Sequence, residues 1–330
     1  MGNQRVFYAC QGVCFNNKPL LGVQSISLDT QQDVVNVDQF GTLEIAGSVA
    51  NLPQVNISLS RVISSSGHTD FNLIYSGTLE QNINKHDHTM CLFIGQDTSD
   101  FIKSSPAPTT YNILFSGVSI DNVNYEFNTD GFFNENIDLV CYGGKYFNEC
   151  PVDQTIFEPT QGFAHGAQAA GKTTFRRQNF DIQASNIATG IIPSGSRIQS
   201  VSFDSNFGIN AIEELGMSVY NPHKKYRYAT LPIETDCTVS VILEGSGLDF
   251  YQFDPANHVD SEGGLCNYSG LSKLSPLSFQ LCSGLNINLG SGMLSNVSYQ
   301  GGGTDGANVV ADFNFTSLNT FTVTSIPPEE

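Results

Sequence analysis

Apolar and polar residues alternate along much of the chain. Val55, Ile57 and Leu59 are separated by Asn56, Ser58 and Ser60, and Cys237, Val239 and Val241 are set among Asp236, Thr238 and Ser240. Ile26 and Leu28 interleave with Ser25, Ser27 and Asp29; Val201 and Phe203 interleave with Ser200, Ser202 and Asp204. A period of two sends successive side chains to opposite faces, so each segment predicts a strand with one apolar and one polar side. Asn128-Thr129-Asp130-Gly131 and Gly303-Thr304-Asp305-Gly306 read as turns between such strands. Helical periodicity is confined to short stretches, around 79–85 and 209–215. The expected fold is all-β, a β-sandwich or partial barrel with a short helix on one side.

The pattern occurs twice. Gln24-Ser25-Ile26-Ser27-Leu28-Asp29 returns as Gln199-Ser200-Val201-Ser202-Phe203-Asp204, an offset of 175. Phe40-Gly41 and Leu215-Gly216 share that offset, and Leu52-Pro53 matches Leu231-Pro232 at 179. Asn122-Val123-Asn124-Tyr125 then aligns with Asn296-Val297-Ser298-Tyr299, and Thr129-Asp130-Gly131 with Thr304-Asp305-Gly306. Matches in one order at nearly one offset predict an internal duplication. The expected organisation is two tandem copies, residues 1–145 and 179–330, joined by a linker or connecting arm over 146–178.

The charge narrows the function classes. The 330 residues carry 32 acids and 14 Lys plus Arg, a net of −18. The charge divides evenly: residues 1–150 hold 15 acids and 6 bases, residues 151–330 hold 17 and 8, so each part carries −9. Such a surface lacks the clustered cations that grip phosphates, and no apolar stretch approaches the roughly 18 residues of a membrane span. Eight cysteines in 330 residues do not make a disulfide-dense scaffold, and they are expected to be reduced and structural.

Candidate chemistry is sparse. Gly166-Ala167-Gln168-Ala169-Ala170-Gly171-Lys172-Thr173 satisfies the phosphate-loop pattern, but a working loop needs a buried strand before it and a helix after it. Neither flank supplies one, so the motif is read as a chance match in the Gly- and Ala-rich arm. His86-Asp87-His88 and the group Asp254, His258 and Asp260 are read as solvated loops rather than metal sites. No nucleophile elbow, carboxylate pair or Cys/His dyad appears. The expectation is a non-enzymatic protein with no catalytic residue, metal or cofactor. The densest basic cluster, His223-Lys224-Lys225-Tyr226-Arg227, reads either as a solvated loop or as a contact loop for an acidic neighbour.

Residues 197–242 resemble the core of bacteriophage tail tube proteins. The likeness rests on three stretches. The first is the Ser-rich strand from Arg197 to Asp204. The second is Ile212-Glu213-Glu214-Leu215-Gly216. The third is Tyr226-Arg227-Tyr228-Ala229-Thr230 leading into the Pro-led strand Leu231-Pro232-Ile233-Glu234-Thr235-Asp236-Cys237. The first half keeps the frame more loosely and lacks the Glu-Glu before its glycine.

The resemblance implies a virion protein of the tail, assembled in the cytoplasm of a bacterial host. Six such domains close a ring, three copies of a two-domain chain supply them, and stacked rings form a tube. Partners would be further copies of the chain, with sheath, tape-measure, terminator and baseplate proteins. Double-stranded DNA would pass only as transiting cargo, and no membrane is involved. If Val201 and Phe203 face the core, the lumen would be lined by Ser25, Ser27, Asp29, Gln54 and Asn56 from the first copy. Ser200, Ser202, Asp204, Glu234 and Asp236 would line it from the second. The cluster from His223 to Arg227 would meet a neighbouring subunit or ring. Two rivals remain: a tube-initiator or head-tail joining ring of the same fold, and a β-sandwich glycan-binding module, which the absence of Trp disfavours.

Overall fold

The computed structural model describes residues 11–41, 45–50, 53–66, 73–83, 88–95, 111–152, 172–174, 177, 180–187, 192, 197–212, 226–242, 274–281, 284–300 and 309–325. β1 (Gln11–Phe15) turns through Asn16 and Asn17, both at positive φ, into β2 (Lys18–Pro19). Asparagine tolerates the left-handed region that this two-residue turn demands. β3 (Val23–Gln31), β4 (Val34–Asp38), β5 (Ile45–Ala50), β6 (Gln54–Val62), β7 (Ser64–Ser66) and β8 (Gly77–Thr78) follow. Next come α1 (Leu79–Ile83), β9 (His88–Ile94) and the long strands β10 (Tyr111–Asn128) and β11 (Asn134–Phe147). The later elements are β12 (Lys172–Thr174), β13 (Phe180–Ile187), β14 (Arg197–Asn206), β15 (Ile209–Ile212), β16 (Tyr226–Ala229) and β17 (Glu234–Ile242). β18 (Leu274–Leu281), β19 (Leu285–Gln300), β20 (Val310–Leu318) and β21 (Thr322–Ser325) complete them.

The fold is all-β, with one short helix among the described residues. That helix has a reciprocal cap. Thr78 Oγ1 accepts from the Gln81 amide at 3.3 Å, while Gln81 Oε1 accepts from the Thr78 amide at 3.1 Å. The second helix expected, over 209–215, is corrected. Ile209–Ile212 is extended and pairs with Tyr226–Ala229, while 213–215 lie outside the described residues. The Ile209 amide donates to Asp121 Oδ1 at 3.0 Å and its side chain is buried, so tertiary contacts decide this short β-branched segment.

The main sheet runs β13-β18-β19-β20-β17-β14-β10-β11-β6-β3, with β9 joined to β10 and β1 to β9. Two series share one pairing order: β1-β9-β10-β11-β6-β3 and β13-β18-β19-β20-β17-β14. Register shifts fall at like places, Val23/Ser25 beside Ile198/Ser200 and Ile120/Asn122 beside Leu294/Asn296. The junction between the series is β10 against β14, with Asn122 opposite Asn206 through to Asn128 opposite Ser200. The strands expected in separate domains thus share one sheet. β11 crosses the expected boundary at 145, and β12, in the expected linker, pairs with β7; 153–171 lie outside the described residues.

β10 and β19 each change partners along their length. β10 pairs with β9 over its first part and with β14 over its last. β19 pairs with β18 and β21 early and with β20 later. Phe203 on β14 packs edge-on against Phe279 on β18 at 4.9 Å, and against Phe127 on β10 at 6.3 Å. Tyr75 stacks on Phe321 at 5.2 Å. One apolar cluster therefore joins residues of both halves.

Candidate functional site

The core side of the sheet determines what the other side presents. Val55, Ile57 and Leu59 on β6, Ile137 and Leu139 on β11, Val123 and Tyr125 on β10, Val201 and Phe203 on β14, and Cys237 and Val239 on β17 are all buried. Their neighbours in sequence must point the other way. Register aligns those neighbours into rows. One row runs Ser25, Ser60, Asn136, Asn124, Asp204, Asp236 and Thr316 across β3, β6, β11, β10, β14, β17 and β20. The next runs Asn134, Glu126, Ser202, Thr238 and Asn314, and a third Asn128, Ser200, Ser240 and Asp312.

These side chains satisfy one another across the strands. Ser58 donates to Asp138 and Ser60 to Asn136, each at 2.6 Å. Asn122 donates to Asp204 at 3.0 Å, Thr316 to Asp236 at 2.7 Å and Thr238 to Asn314 at 2.7 Å. Ser240 donates to Asp312 at 2.5 Å. Most carboxylates of the rows therefore have a hydroxyl or amide donor, and the described residues in these rows include no Lys or Arg. Arg197 sits at the margin, opposite Ile242 at the start of β14. Asp204 and Asp236 stand directly opposite each other, a like-charge pair that costs stability.

Each residue expected on the polar side lies on it. Ser25, Ser27, Asp29, Asp204, Glu234 and Asp236 are exposed; Gln54, Asn56, Ser200 and Ser202 are half-buried among their neighbours. Register sets Asp29 opposite Asn56 and Gln31 opposite Gln54, mirroring Asp204 opposite Asp236. Of the basic cluster, Tyr226 and Arg227 form part of β16, while His223, Lys224 and Lys225 lie outside the described residues.

Other sequence candidates resolve differently. Lys172 and Thr173 of the phosphate-loop pattern are in strand β12, where such a loop would open a helix; 166–171 lie outside the described residues. His88 is not in a solvated loop. It is buried on β9, its ring 4.9 Å from that of Phe15 and its Nδ1 2.7 Å from Asn16 Nδ2. His86, Asp87, Asp254, His258 and Asp260 lie outside the described residues. No cluster of three metal-ligating side chains occurs among the described residues. No described helix is long and apolar enough to cross a membrane. The expectation of reduced cysteines fails for one pair: Cys91 and Cys150 form a disulfide, because β9 and the chain beyond β11 bring them together. Cys14, Cys141 and Cys237 are buried thiols, and burial pushes the Cys14 thiol up to about 11.

Sequence reading missed a buried ionic group. Arg61 and Glu135 are paired inside the core, 1% and 0% exposed. Glu135 also accepts from the Tyr125 hydroxyl at 2.8 Å. Desolvation, reinforced by the Glu135 charge, raises the Tyr125 phenol well above its ordinary value. The clue was in the alternation, since Arg61 shares the parity of Ile57 and Leu59.

Also missed was the character of the β4–β5 hairpin. All five β4 residues are exposed, and Val34, Val35, Val37, Ile45 and Val49 are each half or more exposed. The alternation that predicts strands is present there, but nothing in it tells a buried apolar face from an uncovered one.

No family model and no curated protein matches the chain.

Proposed function

We propose that the chain is a structural, non-enzymatic subunit of a bacteriophage tail tube. In this reading three copies, each bringing two like units, close a ring, and rings stack into a conduit for DNA. The observation that carries the reading is the broad polar side of the sheet. Its rows present hydroxyls, amides and carboxylates, and their described residues include no cation.

Such a wall suits passage of a polyanion. DNA is held through cations that displace its counterions, so a wall without them offers no grip. Carboxylates oriented by neighbouring donors keep a fixed negative potential toward the channel. The opposite side is packed into the core, so the two sides have different tasks. The shared pairing order of the two strand series supports the duplication expected from sequence, and hence six like units from three chains. The assignment to phage tails rests on the resemblance of residues 197–242.

Negative-stain microscopy and sedimentation of purified full-length protein test the reading. Long hollow tubes are expected. Single rings that never stack would favour a tube initiator or joining ring, and persistent monomers at high concentration would overturn the proposal.

A further inference from the structure

Three of the eight cysteines meet in one small apolar patch, apart from the main core. Cys14 on β1 stands directly opposite Cys91 on β9, and each is 1% exposed. Phe93 completes the buried part of the patch, and Leu114, Cys150 and Val152 pack against it. Facing residues of an antiparallel pair have Cα atoms about 4.5 or 5.5 Å apart. Both spacings fall inside the roughly 4.4–6.8 Å that a disulfide spans. The disulfide present, Cys91–Cys150, spans 6.0 Å between its Cα atoms. Cys91 therefore has two sulfur partners at bonding distance of backbone and can hold one at a time.

The two partners approach Cys91 from opposite flanks. β1 pairs with one edge of β9 and β10 with the other. Cys14 comes from the β1 side. Cys150 comes from the β10 side, where Asn112 holds its segment. The Cys150 amide donates to Asn112 Oδ1 at 3.1 Å, and the Asn148 amide donates to the Asn112 carbonyl at 2.8 Å. Disulfides exchange when a thiolate attacks one sulfur and the other departs, in line and on opposite sides of the sulfur attacked. Cys91 lies between an entering Cys14 and a leaving Cys150. Burial raises the Cys14 thiol to about 11, and a backbone hydrogen bond from Cys91 offsets part of that rise. Its thiolate is thus a small fraction at neutral pH and grows about tenfold with each pH unit below that value.

We propose that Cys14, Cys91 and Cys150 form a thiol–disulfide exchange site that locks or releases the segment following β11. The Cys14 proton passes to solvent, and Cys14 Sγ bonds to Cys91 Sγ. The Cys91–Cys150 bond breaks, and Cys150 leaves as a thiolate that takes up a proton. One thiol and one disulfide are present before and after, so the step consumes neither oxidant nor reductant. In the first isomer β9 is tied to the chain beyond β11. In the second β9 is tied to β1, and residues 148–152 keep their hydrogen bonds to Asn112 but lose the covalent clasp. Cys150 is half-buried where Cys14 and Cys91 are buried, so the freed thiol is the one open to alkylating reagents and to mixed disulfides with small thiols. The inference does not depend on the assembly reading above.

Alkylation trapping of the full-length chain tests the exchange. The protein is incubated with iodoacetamide at pH 7.5 and at pH 8.5, quenched in acid, digested with pepsin without reductant and mapped by mass spectrometry. A Cys14–Cys91 link with alkylated Cys150 is expected to accumulate, about tenfold faster at the higher pH. Cys14→Ala and Cys14→Ser, each checked for folding by circular dichroism, are expected to lower Cys150 alkylation at least tenfold. The map of the unmodified chain decides the linkage without any variant. Retention of Cys91–Cys150 with Cys150 unlabelled at both pH values would overturn the proposal. So would Cys91 linked to Cys10 in place of Cys14, or undiminished Cys150 labelling in a folded Cys14 variant.

Discussion

Removing Arg61 should be among the most damaging single changes in the core. Arg61→Leu leaves the Glu135 carboxylate fully buried with the Tyr125 hydroxyl as its remaining described donor. Breaking a buried pair in this way costs about 3–5 kcal/mol, a large share of the roughly 5–15 kcal/mol that holds a domain folded. The double variant Arg61→Leu/Glu135→Leu removes both charges. It also removes an incompletely satisfied guanidinium, since Arg61 Nη2 has no hydrogen-bond partner among the described residues. Apolar replacement of a buried pair is neutral or gains about 1–4 kcal/mol. Against that, the Tyr125 hydroxyl loses its best acceptor, at about 1–3 kcal/mol, and keeps the Tyr75 carbonyl at 3.4 Å. The double variant should therefore lie within about 2 kcal/mol of the parent, and the double-mutant cycle should show a coupling of about 3 kcal/mol or more. Urea unfolding followed by circular dichroism, at a concentration below assembly, measures both. A loss below about 1 kcal/mol for Arg61→Leu, or additive single and double variants, would mean that the two charges do not depend on each other in the core.

Other consequences follow from the same geometry. Tyr125, Tyr75, Cys14 and Cys237 are all raised by burial, so each favours the folded state while protonated in both states. That contribution is complete below the unfolded values near 9–10. It is lost as pH climbs toward the folded ones, so the urea midpoint should fall steadily above pH 9; a flat profile from pH 8 to 11 would contradict it. Asp236→Asn relieves the contact with Asp204, keeps an oxygen to accept from Thr316, and should stabilise the unassembled chain by about 0.2–1 kcal/mol in the same assay. Cys150→Ser opens a disulfide that spans 59 residues, a loop for which chain entropy alone gives about 4 kcal/mol. A melting temperature unchanged by that substitution would show that the bond constrains nothing.

Alternation carried much of the fold into view. It set the faces of β3, β6, β14 and β17 correctly, because a strand with one buried side has only one register that keeps its apolar set inside. The offset between repeated segments pointed to strands that occupy like places in the pairing order. What escaped depends on distance in space. The segment at 209–212 is short, and its contact with Asp121 comes from 88 residues away. Cys91 lies beside Cys150 through the pairing of β9, β10 and β11. Arg61 kept the core parity, yet its partner Glu135 is visible only once β6 and β11 are in register. The β4–β5 hairpin has the apolar composition of a buried element, yet Val34, Val35, Val37, Ile45 and Val49 are each half or more exposed, which sequence pattern alone does not reveal.

Whether the polar side of the sheet lines a channel is decided by electron cryomicroscopy of the assembled protein. Three chains per ring are expected, with Asp29, Asp204 and Asp236 facing an open lumen. A ring whose core-distal face points outward, or an assembly in which these carboxylates are buried between subunits, would contradict the conduit.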